Sequence, residues 1–126
     1  MTDNWVVGLH PDFAVEVEQW DSAVRVEMLA QAGLLAQVGP TLGRPRVDTL
    51  NGSRHANMKE LRFSASDGEW RVAFAFDPRR QAVLLVGGDK SGGGEKRFYR
   101  SLIATADARL DQHLTALAAP EKEKKR

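Results

Sequence analysis

Apolar and polar positions follow two rhythms along this chain, and each change of rhythm marks an element. Trp5-Val6-Val7-Gly8-Leu9 is a short apolar run and predicts a first strand. His10-Pro11-Asp12 breaks it and starts a helix with Phe13, Val17 and Trp20 on one face. Asp21 or Ser22 caps a further helical stretch whose stripe is Val24, Met28, Ala32, Leu35 and Ala36, and Gly39-Pro40 ends it. The two stretches form a helical hairpin or one bent helix. From Arg44 the chain is extended, with a short strand at Val47–Leu50 and a turn at Asn51-Gly52. A strand at Met58–Phe63, a turn at Ser64–Gly68 and a strand at Glu69–Asp77 follow. In the latter, Trp70, Val72, Phe74 and Phe76 alternate onto one face. Ala82–Val86 is uninterrupted apolar sequence, as a strand covered on both sides requires. Gly87–Gly94 is a glycine-rich loop. Glu95–Leu117 is a last helix with Phe98, Leu102, Ala106, Leu110, Leu114 and Leu117 as its stripe. The order predicts an α+β fold: an N-terminal strand and one or two helices, three or four antiparallel strands, and a C-terminal helix. Residues 1–119 form a single domain, and 120–126 a charged flexible tail.

The hairpin register ties this pattern to chemistry. Trp70, Val72 and Phe74 face the core, so Leu61 and Phe63 of the preceding strand must share that face. Pairing Phe63 with Trp70 and Leu61 with Val72 satisfies both sets. It also sets Arg62 opposite Arg71 on the other face, an arrangement that sheets normally avoid. Ala73 and Ala75 beside Arg71 are small and leave that face open. Two opposed guanidinium groups on an open face suit a phosphate or an RNA backbone. The alternative is a pair of solvent-facing arginines balanced by Glu60.

Composition and charge narrow the chemistry. The chain has 126 residues, a net charge of +1 and no cysteine, which excludes disulfides and thiolate metal sites. His10, His55 and His113 lie far apart without metal-ligand spacing, so no metal or other cofactor is expected. No apolar run is long enough for a membrane span, and the N-terminus lacks the features of a signal peptide, so the expected location is cytoplasmic. The charge is unevenly spread. Residues 1–43 carry six acids and one base, whereas residues 44–100 carry twelve bases and seven acids. A basic middle segment suits an anionic partner.

The segments Asn57-Met58-Lys59-Glu60-Leu61-Arg62, Trp70-Arg71-Val72-Ala73-Phe74, Leu85-Val86-Gly87-Gly88-Asp89-Lys90 and Lys96-Arg97-Phe98-Tyr99, in that order, resemble the RelE/HigB toxin superfamily. Ala106–Leu114 resembles the last-helix segment of its phage-derived HigB-like branch. The resemblance spans about Trp5 to Leu117. It implies a RelE-like, microbial-RNase-type fold and a toxin of a type II toxin-antitoxin system. Such a toxin cuts ribosome-bound mRNA through attack of a 2′-OH on the scissile phosphate, without a metal. Its implied partners are mRNA, the ribosome and a helix-turn-helix antitoxin. Arg71 matches the strand arginine at the phosphate, Lys90 or Lys96 the loop base, and Tyr99 the aromatic that stacks or exchanges a proton. Arg62, with Lys59, Arg54 and Arg97, is assigned to holding RNA. Glu60 departs from the pattern, standing where ribosome-dependent relatives often carry a lysine, and is a candidate general base. Two other readings remain: a ParE-type toxin that blocks DNA gyrase and cuts nothing, and a degenerate phage-derived protein that only binds RNA or a partner.

Overall fold

A computed structural model describes residues 4–119, so the charged stretch assigned as a tail at 120–126 lies outside the described residues. Strand β1 (Val6–Leu9) leads into two separate helices, α1 (Pro11–Val17) and α2 (Ser22–Val38). Pro11 and Asp12 occupy the first turn of α1, and the His10 imidazole Nδ1 caps it by accepting the Asp12 N–H at 3.0 Å. Helix α2 stops at Gly39, whose φ of +73° only glycine adopts without strain; a Cβ there would sit 2.4 Å from Trp5 Nε1. Four strands follow: β2 (Val47–Thr49), β3 (Lys59–Ala65), β4 (Gly68–Phe76) and β5 (Gln81–Asp89). Helix α3 (Glu95–Ala118) closes the described chain.

The strands form one sheet in the order β1-β5-β4-β3-β2. The four strands β2 to β5 are antiparallel, while β1 runs parallel to β5, from Val6 beside Gln81 to Leu9 beside Leu84. The expected register holds: Leu61 lies opposite Val72, Arg62 opposite Arg71 and Phe63 opposite Trp70. One parity of β3 and β4 therefore packs on α1 and α2, joining Leu61, Val72 and Phe74 to Phe13, Met28 and Leu35, all at 0% exposure. Each such side chain contributes about 1.5–3 kcal/mol by leaving water. The other parity packs on α3, with Met58, Ala73, Ala75 and Leu85 against Leu102, Ala106 and Leu110.

Two expectations are corrected. The face bearing Arg62 and Arg71 is not open: Ala73 and Ala75 are small because α3 lies on them, and both are fully buried. Strand β5 also continues through Gly87, Gly88 and Asp89, which pair with Val72, Arg71 and Trp70, so the glycine-rich loop starts only at Lys90. Gly87 is a packing requirement, since a Cβ would come within 2.9 Å of Val72 and 3.1 Å of the Arg71 carbonyl oxygen. The three histidines are tied into the scaffold, with His10 on Gln112, His55 on Asp111 and His113 on Asp77 at 2.8–2.9 Å. No described helix is long and apolar enough to cross a membrane.

Candidate active site

On the α3 side of the sheet the apolar pattern gives way to charge across three strands. Asp48 of β2 pairs with Glu60 of β3, and Arg62 of β3 pairs with Arg71 of β4. Each is a like-charge cross-strand pair and unfavourable alone. Adjacent on the sheet, the two pairs balance each other. Arg62 Nε lies 3.9 Å from Glu60 Oε2, and Arg62 Nη1 lies 3.9 Å from Asp48 Oδ2. Arg71 Nε lies 4.0 Å from Glu60 Oε1. These are charge contacts beyond hydrogen-bond range. The Nε atoms of both arginines are buried without a hydrogen-bond partner, and the Arg71 guanidinium spends one N–H on the Trp70 carbonyl at 2.9 Å. Paired arginines usually form short, forked bonds to carboxylates, so this cluster is held loosely.

Helix α3 supplies a short side-chain contact to the cluster. Tyr99 donates its hydroxyl to Glu60 Oε1 at 2.8 Å. Burial, and then the Glu60 hydrogen bond, push the Tyr99 phenol up to about 12. Tyr99 thus keeps its proton at neutral pH and presents it to the carboxylate. Asp48 is held below the ordinary carboxylate range by the Thr49 N–H first, with Arg44 and Arg62 adding to it. Glu60, Arg62, Asp48, Glu95 and Tyr99 line a hollow of about 280 Å³. Arg62 also lines a second hollow of about 460 Å³, together with Arg71 and Arg46. The Arg62 side chain is 33% exposed and that of Arg71 only 6%. Arg62 is therefore the guanidinium that a ligand meets first, with Arg71 behind it.

The structure brings Glu60, Arg62, Arg71 and Tyr99 together and disperses the rest. Lys90 does not line the Tyr99 hollow but lies 3.8 Å from Glu95, which does. It shares a groove between β5 and the start of α3 with Arg97. Lys96 is exposed and lines neither hollow. Lys59 has the opposite parity to Glu60 and lines a hollow with Arg44 and Asp48 at the strand edge. Arg54 is engaged by Asp107 and Asp111 of α3, away from the cluster. Sequence reasoning missed Asp48 and Glu95, which lie on separate elements, and Arg46, which hydrogen-bonds through its carbonyl to the Arg62 N–H at 2.8 Å. Once β2 is paired with β3, the acidic Asp48 opposite Glu60 would have signalled the balanced quartet.

Comparison with known proteins gives three findings. The family model described as "Phage derived protein Gp49-like (DUF891)" matches residues 16–111. A Mycobacterium tuberculosis protein named "Putative toxin HigB3" is 46% identical over 105 residues, covering 80% of this chain and 90% of that protein. Another from the same organism, named "Putative toxin HigB2", is 47% identical over 88 residues; the match covers 69% of this chain but 43% of that protein. A solved structure of a double arginine-to-alanine mutant of the E. coli toxin RelE, in its free state, superposes with a TM-score of 0.55. It shares 12% identity and covers 80% of this chain and 95% of that one, a likeness of fold.

Proposed function

The chain belongs to the phage-derived Gp49-like family of HigB-type toxins, and we propose that it acts as an mRNA endoribonuclease using the Glu60–Arg62–Arg71–Tyr99 cluster. The observation that carries this reading is the Glu60 carboxylate, held by Tyr99 at 2.8 Å and about 4 Å from each of two guanidinium groups. Glu60 takes the proton of a ribose 2′-OH, and the oxygen attacks the adjacent phosphorus. Arg62 meets the phosphate, and Arg71 adds its charge from behind, where a low dielectric strengthens it. The P–O5′ bond breaks. Tyr99 protonates the departing 5′-oxygen and regains a proton from Glu60 along their shared hydrogen bond. The products are a 2′,3′-cyclic phosphate and a 5′-hydroxyl. Of the two lysine candidates, Lys90 is favoured for a phosphate contact by its place beside Glu95.

On this reading the substrate is ribosome-bound mRNA and the cognate partner is a helix-turn-helix antitoxin that covers the basic segment. The test is single-turnover cleavage of a defined mRNA with and without ribosomes, with end-group analysis of the fragments. Cyclic phosphate ends from the wild type, and their loss in Glu60→Gln, are expected. Fragments with 3′-hydroxyl ends, or a fully active Glu60→Gln protein, would sink the mechanism.

One observation favours a second reading. Glu60 and Arg71 are 7% and 5% exposed, which also suits a toxin that binds without cutting, as a gyrase-blocking protein of the ParE type does. Intact mRNA and double-strand DNA breaks after induction would decide for it.

A further inference from the structure

We propose that the C-terminal part of strand β5 takes an added strand, an extended acidic segment of a partner protein lying in the groove between β5 and α3. The inference goes beyond the cleavage reading and stands without it.

Strand β5 has its outer neighbour along only part of its length. Strand β1 pairs with Gln81 to Leu84, the His10 N–H reaches the Leu84 carbonyl at 2.8 Å, and the chain then turns into α1. Among the described residues, no strand lies on that side of β5 from Leu85 to Asp89. The Leu85 carbonyl accepts the Arg109 Nη1–H at 2.8 Å instead. Farther along, the Lys90 N–H goes to the Glu69 carbonyl of β4 at 2.8 Å, with Gly88 opposite Arg71 and Val86 opposite Ala73 in the same register. Backbone groups alternate sides along a strand, so the N–H and carbonyl groups of Gly87 and Asp89 turn away from β4. An edge of this kind is a template for another strand.

There is room beside this edge. Gly87 and Asp89 line a groove of about 460 Å³ whose other wall is the start of α3. Val86, Phe98 and Leu102 give the groove apolar surface, and Ser101 and Thr105 add hydroxyl groups. Gly87 and Gly88 carry no side chain to hold off an incoming backbone. Charge selects the occupant. Lys90 and Arg97 line the groove, and Lys96, Arg97 and Arg100 are exposed on the first turns of α3. The Asp89 carboxylate opposes them, but it already accepts the Glu69 and Ser91 N–H groups. The alternating N–H and carbonyl groups of Gly87 and Asp89 match a peptide backbone and not a sugar–phosphate chain. An extended segment with apolar residues at alternate positions and carboxylates at its ends satisfies the edge, the apolar surface and the bases together.

The probe is a fluorescein-labelled, amidated heptapeptide, Glu-Thr-Val-Thr-Val-Thr-Glu, titrated into the purified protein by anisotropy and followed by amide hydrogen exchange. At saturation, exchange at Gly87 and Asp89 should slow by at least about tenfold, while Gly88, already bonded to β4, stays as it was. Two further peptides carry N-methyl groups on the threonine amides or on the valine and glutamate amides, and only one of these sets can face β5. One peptide should bind at least about tenfold more weakly than the parent and the other within about threefold. Lysine in place of glutamate, or Arg97→Glu in the protein, should weaken binding by about threefold or more. No binding at millimolar peptide, equal effects of the two methylation patterns, or equal binding of the lysine peptide would overturn the proposal. Protection of the Gly87 and Asp89 amides by a single-stranded RNA oligonucleotide, or by raised protein concentration alone, would give the edge to RNA or to a second copy and overturn it as well.

Discussion

The two faces of the sheet are built from alternate residues of the same strands and have opposite characters. Toward α1 and α2, every inward position of β3 and β4 from Leu61 to Phe74 is apolar, and the face is packed by aromatic contacts such as Trp20 on Trp70 at 4.7 Å. Toward α3, the face begins with alanines and leucines and then passes to Asp48, Glu60, Arg62 and Arg71. The first face holds the domain together. The second is rigid because the first is, and can therefore keep like charges opposed across strands. A loosely paired quartet could not persist on a floppy hairpin.

Substitutions can break that division of labour. The largest effect is expected from Phe74→Ala on the packed face, which should lower unfolding free energy by about 3–5 kcal/mol in a denaturant titration. Loss of less than about 1 kcal/mol would mean that this face is not the main core. Next, Arg71→Ala on the charged face should slow single-turnover cleavage by roughly 10²–10³-fold. It should also abolish growth arrest on expression; a variant that still arrests growth at equal abundance refutes the assignment.

A smaller effect sharpens the comparison. Replacing the buried pair together, Glu60→Leu with Arg71→Met, should change stability by less than about 1 kcal/mol or raise it, because desolvation offsets the attraction of a loose pair. Marked destabilisation would show that the quartet holds the fold as well as the site. The smallest effect concerns the scaffold's own pH response. Burial alone would raise Asp77, but bonds from His113 and from the Arg79 and Gln81 N–H groups outweigh it and hold its carboxyl below its ordinary value of 3.8. A lowered carboxyl stabilises the fold above its unfolded value, and that contribution disappears as pH falls through the folded one. Wild-type stability should therefore decline below about pH 4, more steeply than in Asp77→Asn. Parallel pH curves for the two proteins would exclude Asp77 as a source of the decline.

Much of this was legible because strand parity is a strict code. Once Trp70, Val72 and Phe74 were placed inside, Arg62 had to meet Arg71, and Lys59 had to leave the side of Glu60. What covers a face is not in that code. Ala73 and Ala75 read as open space when they are the seat of α3, since small residues serve both purposes. Gly87 and Gly88 read as loop, yet ladder bonds to β4 override glycine's freedom. The Tyr99–Glu60 bond joins residues 39 positions apart, and the Arg54 contacts with Asp107 and Asp111 span more than 50; such pairings depend on how a helix docks. Resemblance supplied the family and matched Arg71 to the arginine at the phosphate, but it gave no exposures; packing leaves the Arg62 side chain 33% exposed and that of Arg71 6%.

The sheet order also has a consequence in time. Strand β1 is made before the other described strands, yet its neighbour among them is β5, with Val6 waiting for Gln81. Glu60, Arg62 and Arg71 are all made before α3, which delivers the Tyr99 hydroxyl. Sealing of the sheet therefore waits for β5, and the Tyr99–Glu60 bond for the helix that follows it.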